Sequence, residues 1–389
     1  MYQVHCNFIT FKDLNTTPGS VQTQVNVQIP FRTVFRGIMQ RVNIIIPVII
    51  LFILMACSRS SEISRLSREE EGLIRKITSL NSLYRLKEVI TLRDVNEKGY
   101  FADFKMNERL ILGLHHYRGE DLLLVWNKNG TFLGQAGQAG KAPGEYISVG
   151  GFEFTGPESF IIYDRARDFI NSYRVEKGAV VFVDQAAPGL AEQTYMDTLF
   201  RAGGAFYLLS CSGPEGMHTL FRLNEKMQVA CRFHKRSHSS LIANPTYAVS
   251  KNEIYVLGAF DDRLKMLEPF IYVYSLQGKL LRKIKTKYRD IFDINFDRSG
   301  KVMLLTSMKN IFDLAKADEY RILDREGRVI HTFTSLPPLD PETILGVSRT
   351  CLDYENVIYL TRPDEAGRAK LYIYDIDAGL EPEGGEDGE

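Results

Sequence analysis

The segment Ile271-Tyr272-Val273-Tyr274-Ser275-Leu276-Gln277-Gly278-Lys279-Leu280-Leu281-Arg282-Lys283-Ile284 holds two β-rich runs on either side of a Gln-Gly turn. Glycine in such a turn supplies the positive φ that a tight hairpin needs. The β-branched and aromatic residues beside it fit a pleated, half-buried surface. The same arrangement recurs at Asn129-Gly130 and at Glu326-Gly327, the latter between Arg321-Ile322-Leu323 and Val329-Ile330-His331-Thr332-Phe333. Working outward, an aromatic residue or leucine followed by a small polar residue ends a β-run at Trp126-Asn127, Tyr163-Asp164, Leu223-Asn224, Tyr274-Ser275, Leu323-Asp324 and Tyr374-Asp375. Successive second members lie 37, 60, 51, 49 and 51 residues apart. Differences in loop length are the expected reason for the first two values.

Most units also contain an earlier, more apolar strand: Leu110 to Leu114, Phe206 to Ser210, Ile254 to Leu257, Val302 to Leu305 and Val357 to Leu360. Such strands are expected at the inner, doubly covered positions of stacked sheets, with alternating strands at the rim. A strand-only repeat of about 50 residues points to a β-propeller rather than a helical solenoid. The expectation is therefore an all-β fold, a six-bladed β-propeller with four-stranded antiparallel blades over residues 86–377. The last unit lacks one strand, and Glu88-Val89-Ile90-Thr91-Leu92-Arg93 is a spare strand ahead of the first. Pairing the two would close the ring and leave no unpaired edge. A β-sandwich is the alternative.

The N-terminal text predicts export. Met39-Gln40-Arg41 gives a cationic start, Ile44 to Ala56 is a 13-residue uncharged apolar block, and Leu54-Met55-Ala56-Cys57 ends it. A charge, an apolar block and a small-residue cleavage site make a secretory signal. The block is shorter than the roughly 20 apolar residues that cross a bilayer, although a retained membrane anchor is the competing reading. The last four residues resemble a bacterial lipobox, in which the cysteine, here Cys57, is acylated. Residues 39–57 then form a lipoprotein signal peptide, and residues 1–38 a disordered, non-native extension upstream of a start at Met39. Residues 58–85 read as a tether and amphipathic helix, with Ile63, Leu66, Leu73, Ile74, Ile77 and Leu80 at helical spacing. Residues 378–389 read as a disordered acidic tail.

The chain from Cys57 to Glu389 has 44 basic and 47 acidic residues, since Lys12, Arg32, Arg36, Arg41 and Asp13 fall outside it. A nucleic-acid partner usually requires a basic footprint, and none is expected here. After Cys57 the cysteines are Cys211, Cys231 and Cys351, without metal-site spacing. A Cys211–Cys231 disulfide and three free thiols are both open.

The segment Gly134-Gln135-Ala136-Gly137-Gln138-Ala139-Gly140-Lys141-Ala142-Pro143-Gly144-Glu145-Tyr146 directly follows the first hairpin. Together with the lipobox, it resembles a loop of the six-bladed β-propeller lipoproteins of Gram-negative gut bacteria, a family related to NHL-repeat and TolB-like propellers. Gly140, Pro143, Gly144, Glu145 and Tyr146 match that family's pattern, and Ala142 stands where it has glycine. The resemblance implies the fold over residues 86–377 and says little about activity. The glycine-dense loop fits a crossover between blades. Alternatively, Lys141, Glu145 and Tyr146 line a mouth of the central channel and bind a ligand.

Catalytic candidates are few. His234 and His238 lie in a basic loop without nearby carboxylates, and His115-His116 point opposite ways in extended backbone. Asp261-Asp262 fits a surface turn better than a calcium site. Glu153, between Phe152 and Phe154, is the carboxylate expected to face the channel, where it could meet a cation or a sugar hydroxyl. There is no GxSxG elbow or HExxH helix, so no catalytic residue, metal site or cofactor is assigned. Two functions fit. One is a membrane-anchored binding module for a glycan, a peptide or an envelope protein, linked to glycan or peptide uptake. The other is a metal-dependent lactonase- or lyase-type enzyme at the channel mouth. The expected location is the cell envelope, as a periplasm-facing outer-membrane lipoprotein.

Overall fold

The computed structural model describes residues 66–381, apart from 96–97, 191–193, 213–216, 237–246, 251, 259–268, 292, 308–315 and 352–354. The expected signal peptide with Cys57, the extension 1–38, His238, Asp261-Asp262 and residues 382–389 lie outside the described residues.

The chain begins with helix α1 (Arg68–Ile74), a short helix α2 (Leu80–Leu83) and strand β1 (Tyr84–Leu92). Ser67 and Glu70 form a capping box at the start of α1: the Ser67 hydroxyl accepts from Glu70 N–H, and Glu70 accepts from Ser67 N–H. Then come antiparallel sheets built from consecutive strands. The first holds β2 (Tyr100–Met106), β3 (Leu110–Tyr117), β4 (Glu120–Asn127) and β5 (Phe132–Ala136). The second holds β6 (Val149–Gly156), β7 (Ser159–Asp164), β8 (Phe169–Glu176) and β9 (Ala179–Ala186). The third holds β10 (Thr194–Ala202), β11 (Ala205–Ser212), β12 (Met217–Leu223) and β13 (Val229–Arg236). The fourth holds β14 (Tyr247–Ser250), β15 (Glu253–Leu257), β16 (Phe270–Ser275) and β17 (Leu280–Lys285). The fifth holds β18 (Asp293–Phe296), β19 (Val302–Ser307), β20 (Asp318–Asp324) and β21 (Val329–Ser335). Last come β22 (Ile344–Cys351), β23 (Glu355–Thr361) and β24 (Ala369–Ile376), which take β1 as their outer strand.

The pairing of β1 with β24 is antiparallel, from Tyr84 opposite Ile376 to Leu92 opposite Ala369. The spare strand thus completes the final sheet, and it begins at Tyr84 rather than Glu88. A single parallel pair, Phe101 with Gly346, joins β2 to β22, so the two end sheets run on as one eight-stranded sheet. Gly346 makes this approach possible: a Cβ there would lie 2.8 Å from the Phe101 Cβ.

Hydrophobic burial joins each sheet to the next. Leu112 and Val125 pack with Phe152 and Ile162. Ile161 and Tyr163 pack with Leu208 and Phe221, and Phe200 and Leu209 with Ile254 and Tyr272. Tyr255 and Val273 meet Ile294 and Met303, and Leu304 and Ile322 meet Val357 and Tyr374. Finally Ile358 and Leu371 pack with Phe104 and Trp126, returning to the first sheet. The stack closes on itself.

The first and last described segments enter one of these seams. Ile74, Ile77, Leu80 and Leu83, together with Ala378 and Leu380, are buried with Leu304, Ile322 and Ile376. The amphipathic helix expected within residues 58–85 is α1, seven residues long, with Ile74 buried. The tail, expected to be disordered from residue 378, instead packs through Leu380.

A single hairpin device explains the small polar residue at four of the six junctions and recurs at Asp364, whereas Asp375 lies within β24 and accepts from Asn356 Nδ2. In five turns the side chain of residue i accepts from the backbone N–H groups of i+2 and i+4. These residues are Asn127, Asn224, Ser275, Asp324 and Asp364. The i+3 residue has positive φ, at Gly130, Met227, Gly278, Gly327 and Gly367. A bulge follows on the strand side in the first four. Asp164 is not equivalent: it ends β7, one strand too early, and the matching position in its sheet is Glu176 at the end of β8. From Asn127 to Glu176 is 49 residues and from Glu176 to Asn224 is 48. The uneven spacing in the sequence is therefore a misassigned strand, not a difference in loop length. Glu176 lacked the signature because its hairpin is a two-residue turn, Lys177-Gly178, with φ of 51° and 80°.

Candidate functional site

The first strand of each sheet lies nearest the axis, β2 beside β22, β6 beside β10 and β14 beside β18. The apolar strands expected there are instead the second strands β3, β11, β15, β19 and β23. Covered on both faces by neighbouring sheets, they are the most apolar, whereas the first strands carry polar groups such as Asp103, Lys105, Glu153, Asp293 and Asn295.

Glu153 does sit on a first strand, β6, and it is largely buried. Lys105 Nζ donates to Glu153 Oε2 at 2.6 Å and to the Leu199 carbonyl at 3.1 Å. The lysine, 7% exposed, also lies 5.9 Å from the centre of the Phe152 ring. Burial pushes its pKa down, but the charges of Glu153, Tyr247 and Asp103 outweigh this and raise it above the usual lysine range. One ion pair thus ties β2, β6 and β10 together at the axis. A buried carboxylate between two aromatics demands a counter-charge; that signal could have led to Lys105, which the sequence reading did not name.

The crossover loop from β5 to β6 is held from within. Glu145 accepts from Gln138 Nε2 at 2.6 Å and from Ala142 N–H at 2.7 Å, and these bonds hold its carboxyl below the usual range. Its backbone carbonyl accepts from Arg167 and from Asn171 Nδ2. Tyr146 is 1% exposed, packed among Leu123, Phe152 and Tyr173, and its hydroxyl accepts from Leu123 N–H at 3.1 Å. Burial pushes this phenol up to about 12. Tyr146 is thus a core residue and does not face a channel mouth. Lys141 is exposed, and its carbonyl accepts from Arg167 Nη1. Gly137 and Gly144 meet closely: a Cβ on Gly137 would lie 2.4 Å from the Gly144 carbonyl oxygen. The structure brings Lys141, Glu145 and Tyr146 together in one loop, and Glu153 lies apart with Lys105.

The end face bearing the crossover loops collects further polar groups. His116 Nδ1 lies 2.5 Å from Asp121 Oδ1. Asp121 Oδ2 accepts from Val149 N–H at 2.7 Å and from Ser148 Oγ at 3.3 Å, and Arg165 Nε donates to Ser148 Oγ at 2.8 Å. Burial raises the Asp121 pKa, but these bonds more than offset it and hold the group low. The serine contacts the carboxylate rather than the imidazole, so this is not a nucleophile–base pair. Beside it Tyr100 is 58% exposed, its ring centroid 5.0 Å from that of His116. His115 points the other way, as its alternation in the strand requires: it is buried, with Nε2 2.7 Å from the Lys98 carbonyl. Burial lowers its pKa. Among the described residues no group of three or more His, Cys, Asp or Glu side chains is placed to hold a metal ion. Cys231 is a free thiol, and the side chains of Cys211, Cys351 and His234 lie outside the described residues.

A closed stack of antiparallel sheets built from consecutive strands has one name. The fold is a β-propeller. No family model and no curated protein matches the chain. Among solved structures it is similar to a candidate exported protein of Bacteroides fragilis, with a TM-score of 0.53 and 13% identity over 78% of this chain and 97% of that one. The Dos1 propeller aligns at 7% identity and a TM-score of 0.42 over 73% of this chain and 80% of that one. At 13% identity the likeness to the exported protein is one of fold. No helix among the described residues is long and apolar enough to cross a membrane.

Proposed function

We propose that the chain is an exported, lipid-anchored propeller of six blades that binds a ligand or a partner protein at the cell envelope through its crossover-loop face. Dividing the eight-stranded sheet at its single parallel pair gives two four-stranded blades, and with the other four sheets the count is six. A recurrence of 48 to 51 residues supports that division. The observation that carries the binding reading is the contrast between axis and face. At the axis, Lys105 and Glu153 spend their charges on each other. At the face, an exposed Tyr100 stands beside the His116–Asp121 pair. An aromatic platform next to paired hydrogen-bonding groups suits a small polar ligand, such as a sugar or a peptide end.

Anchoring at Cys57 rests on the Leu54-Met55-Ala56-Cys57 segment, and the periplasm-facing outer membrane is the location we assign. Membership of the gut-bacterial lipoprotein propellers rests on the Gly140 to Tyr146 loop. Two experiments test the reading. Labelled palmitate should enter the wild-type chain and not Cys57→Ala; equal labelling removes the anchor. A thermal-shift panel of oligosaccharides and peptides should give a stabilising ligand whose effect Tyr100→Ala abolishes. A ligand indifferent to Tyr100→Ala and His116→Ala places recognition elsewhere.

A further inference from the structure

Residues 279–289, Lys279-Leu280-Leu281-Arg282-Lys283-Ile284-Lys285-Thr286-Lys287-Tyr288-Arg289, hold six basic residues and no acidic one, in a chain whose net charge is zero. They form β17, the outer edge of its sheet, and the loop that leaves it. Arg282 is committed: it donates to Glu253 Oε1 at 2.6 Å, to Glu253 Oε2 at 2.9 Å and to the Tyr255 hydroxyl at 2.8 Å. Lys279, Lys283, Lys285, Lys287 and Arg289 are exposed. Lys283 lies 5.4 Å from the centre of the Tyr272 ring.

Lysines on an edge strand often serve only to prevent strand addition. Here the other outer strands argue against that as a general device. β5 and β21 carry no Asp, Glu, Lys or Arg, β9 carries Asp184 alone, and β1 carries Arg85 and Lys87 beside Glu88, with Lys87 paired to Asp375. Outer strands with several cations and no acid are β17 and that of the preceding sheet, β13, whose sequence adds Arg232, Lys235 and Arg236. Among the cations, Leu280 and Leu281 are 40% and 45% exposed. Apolar side chains flanked by lysines are the chemistry of an interfacial anchor, in which leucine enters the headgroup layer and lysines meet its phosphates. A soluble polyanion would find no use for the leucines.

We propose that the β17 edge, with Lys279, Lys283, Lys285, Lys287, Leu280 and Leu281, docks on an anionic lipid surface. The proposal does not rest on acylation of Cys57. Every core cluster lies between Ile74 and Leu380, so residues 66–389 carry a complete core and can be tested without the lipobox. That chain should sediment with phosphatidylcholine vesicles containing phosphatidylglycerol, not with phosphatidylcholine alone, and should release at high salt. Each lysine near such a surface contributes about 1 kcal/mol, or about fivefold. A Lys283→Ala/Lys285→Ala/Lys287→Ala variant should therefore bind about a hundredfold more weakly. Leu280→Ser/Leu281→Ser should weaken vesicle binding while leaving retention on a polyanionic resin unchanged. Absence of sedimentation, equal sedimentation of the lysine variant, or binding to the resin but not to vesicles would overturn the proposal.

Discussion

The sheet β6–β9 and the sheet that closes the ring are built to the same plan from different materials. The first is one continuous stretch of chain, joined to its predecessor by a glycine-dense loop and at the axis by Lys105–Glu153. The second takes three strands from the C-terminal part and one from the start of the propeller, and its seam is filled by α1, α2, Ala378 and Leu380. Loop-closure entropy helps the continuous sheet, because its strands are neighbours in sequence. The closing sheet must instead bring Tyr84 to Ile376. Its stability has to come from burial, and its seam is accordingly one of the largest apolar clusters in the molecule.

The largest expected effect follows from removing residues 66–92. This strips the seam filler and opens the ring along β24, so cooperative thermal unfolding should vanish. A sharp transition retained at wild-type position would mean that closure contributes nothing. Next comes the axis. Lys105→Met leaves Glu153 buried without its counter-charge, which typically costs about 3–5 kcal/mol. Urea denaturation should show that loss, and the Lys105→Met/Glu153→Leu double variant should recover most of it. Third, Ile74→Ala should cost about 2–4 kcal/mol as a core truncation, measured the same way. A cost near zero would make the arm a passenger.

The fourth prediction concerns pH. Asp297 lies in the turn before β19, bonded to Ser299 and to Val302 N–H and influenced by the charge of Asp377, which follows β24. Burial, foremost, raises its pKa to about 6. The folded state therefore holds this proton more tightly than the unfolded chain, whose aspartate titrates near 3.9. Its contribution is fully present below pH about 4 and is lost as pH rises through about 6, at a cost of about 2–3 kcal/mol. Asp297→Asn should flatten the stability profile across that window. An unchanged slope would remove Asp297 as the cause.

The repeat and the spare strand were legible in the sequence because turn chemistry is local: Asn127, Asn224, Ser275 and Asp324 do the same job with the same two backbone N–H groups. Asp164 misled because it ends a strand in the same chemical style, capping Ile147 and Ser148 N–H groups instead. The most apolar strands are the second and not the first of each sheet, since apolar text reports coverage on two faces and not distance from an axis. The face around Tyr100, His116 and Asp121 was not legible. It is assembled from the ends of β2, β3, β4 and β6, which only the sheet register brings together. Tyr146 was a candidate for lining the channel mouth as the alternative to a structural crossover, and its neighbours in space, Leu123 and Tyr173, make it a core residue.

Closure of the ring by β1 is tested most directly by a cysteine pair at Thr91 and Lys370, which lie opposite each other in the β1–β24 register and are both exposed. Opposed residues of an antiparallel pair have Cβ atoms about 4.5–5.5 Å apart, within reach of a disulfide after small adjustment. Mild oxidation of Thr91→Cys/Lys370→Cys should yield, in the monomer, a reducible link between the peptides that carry the two positions. A pair that stays reduced, or that links only between molecules, would contradict the closed ring.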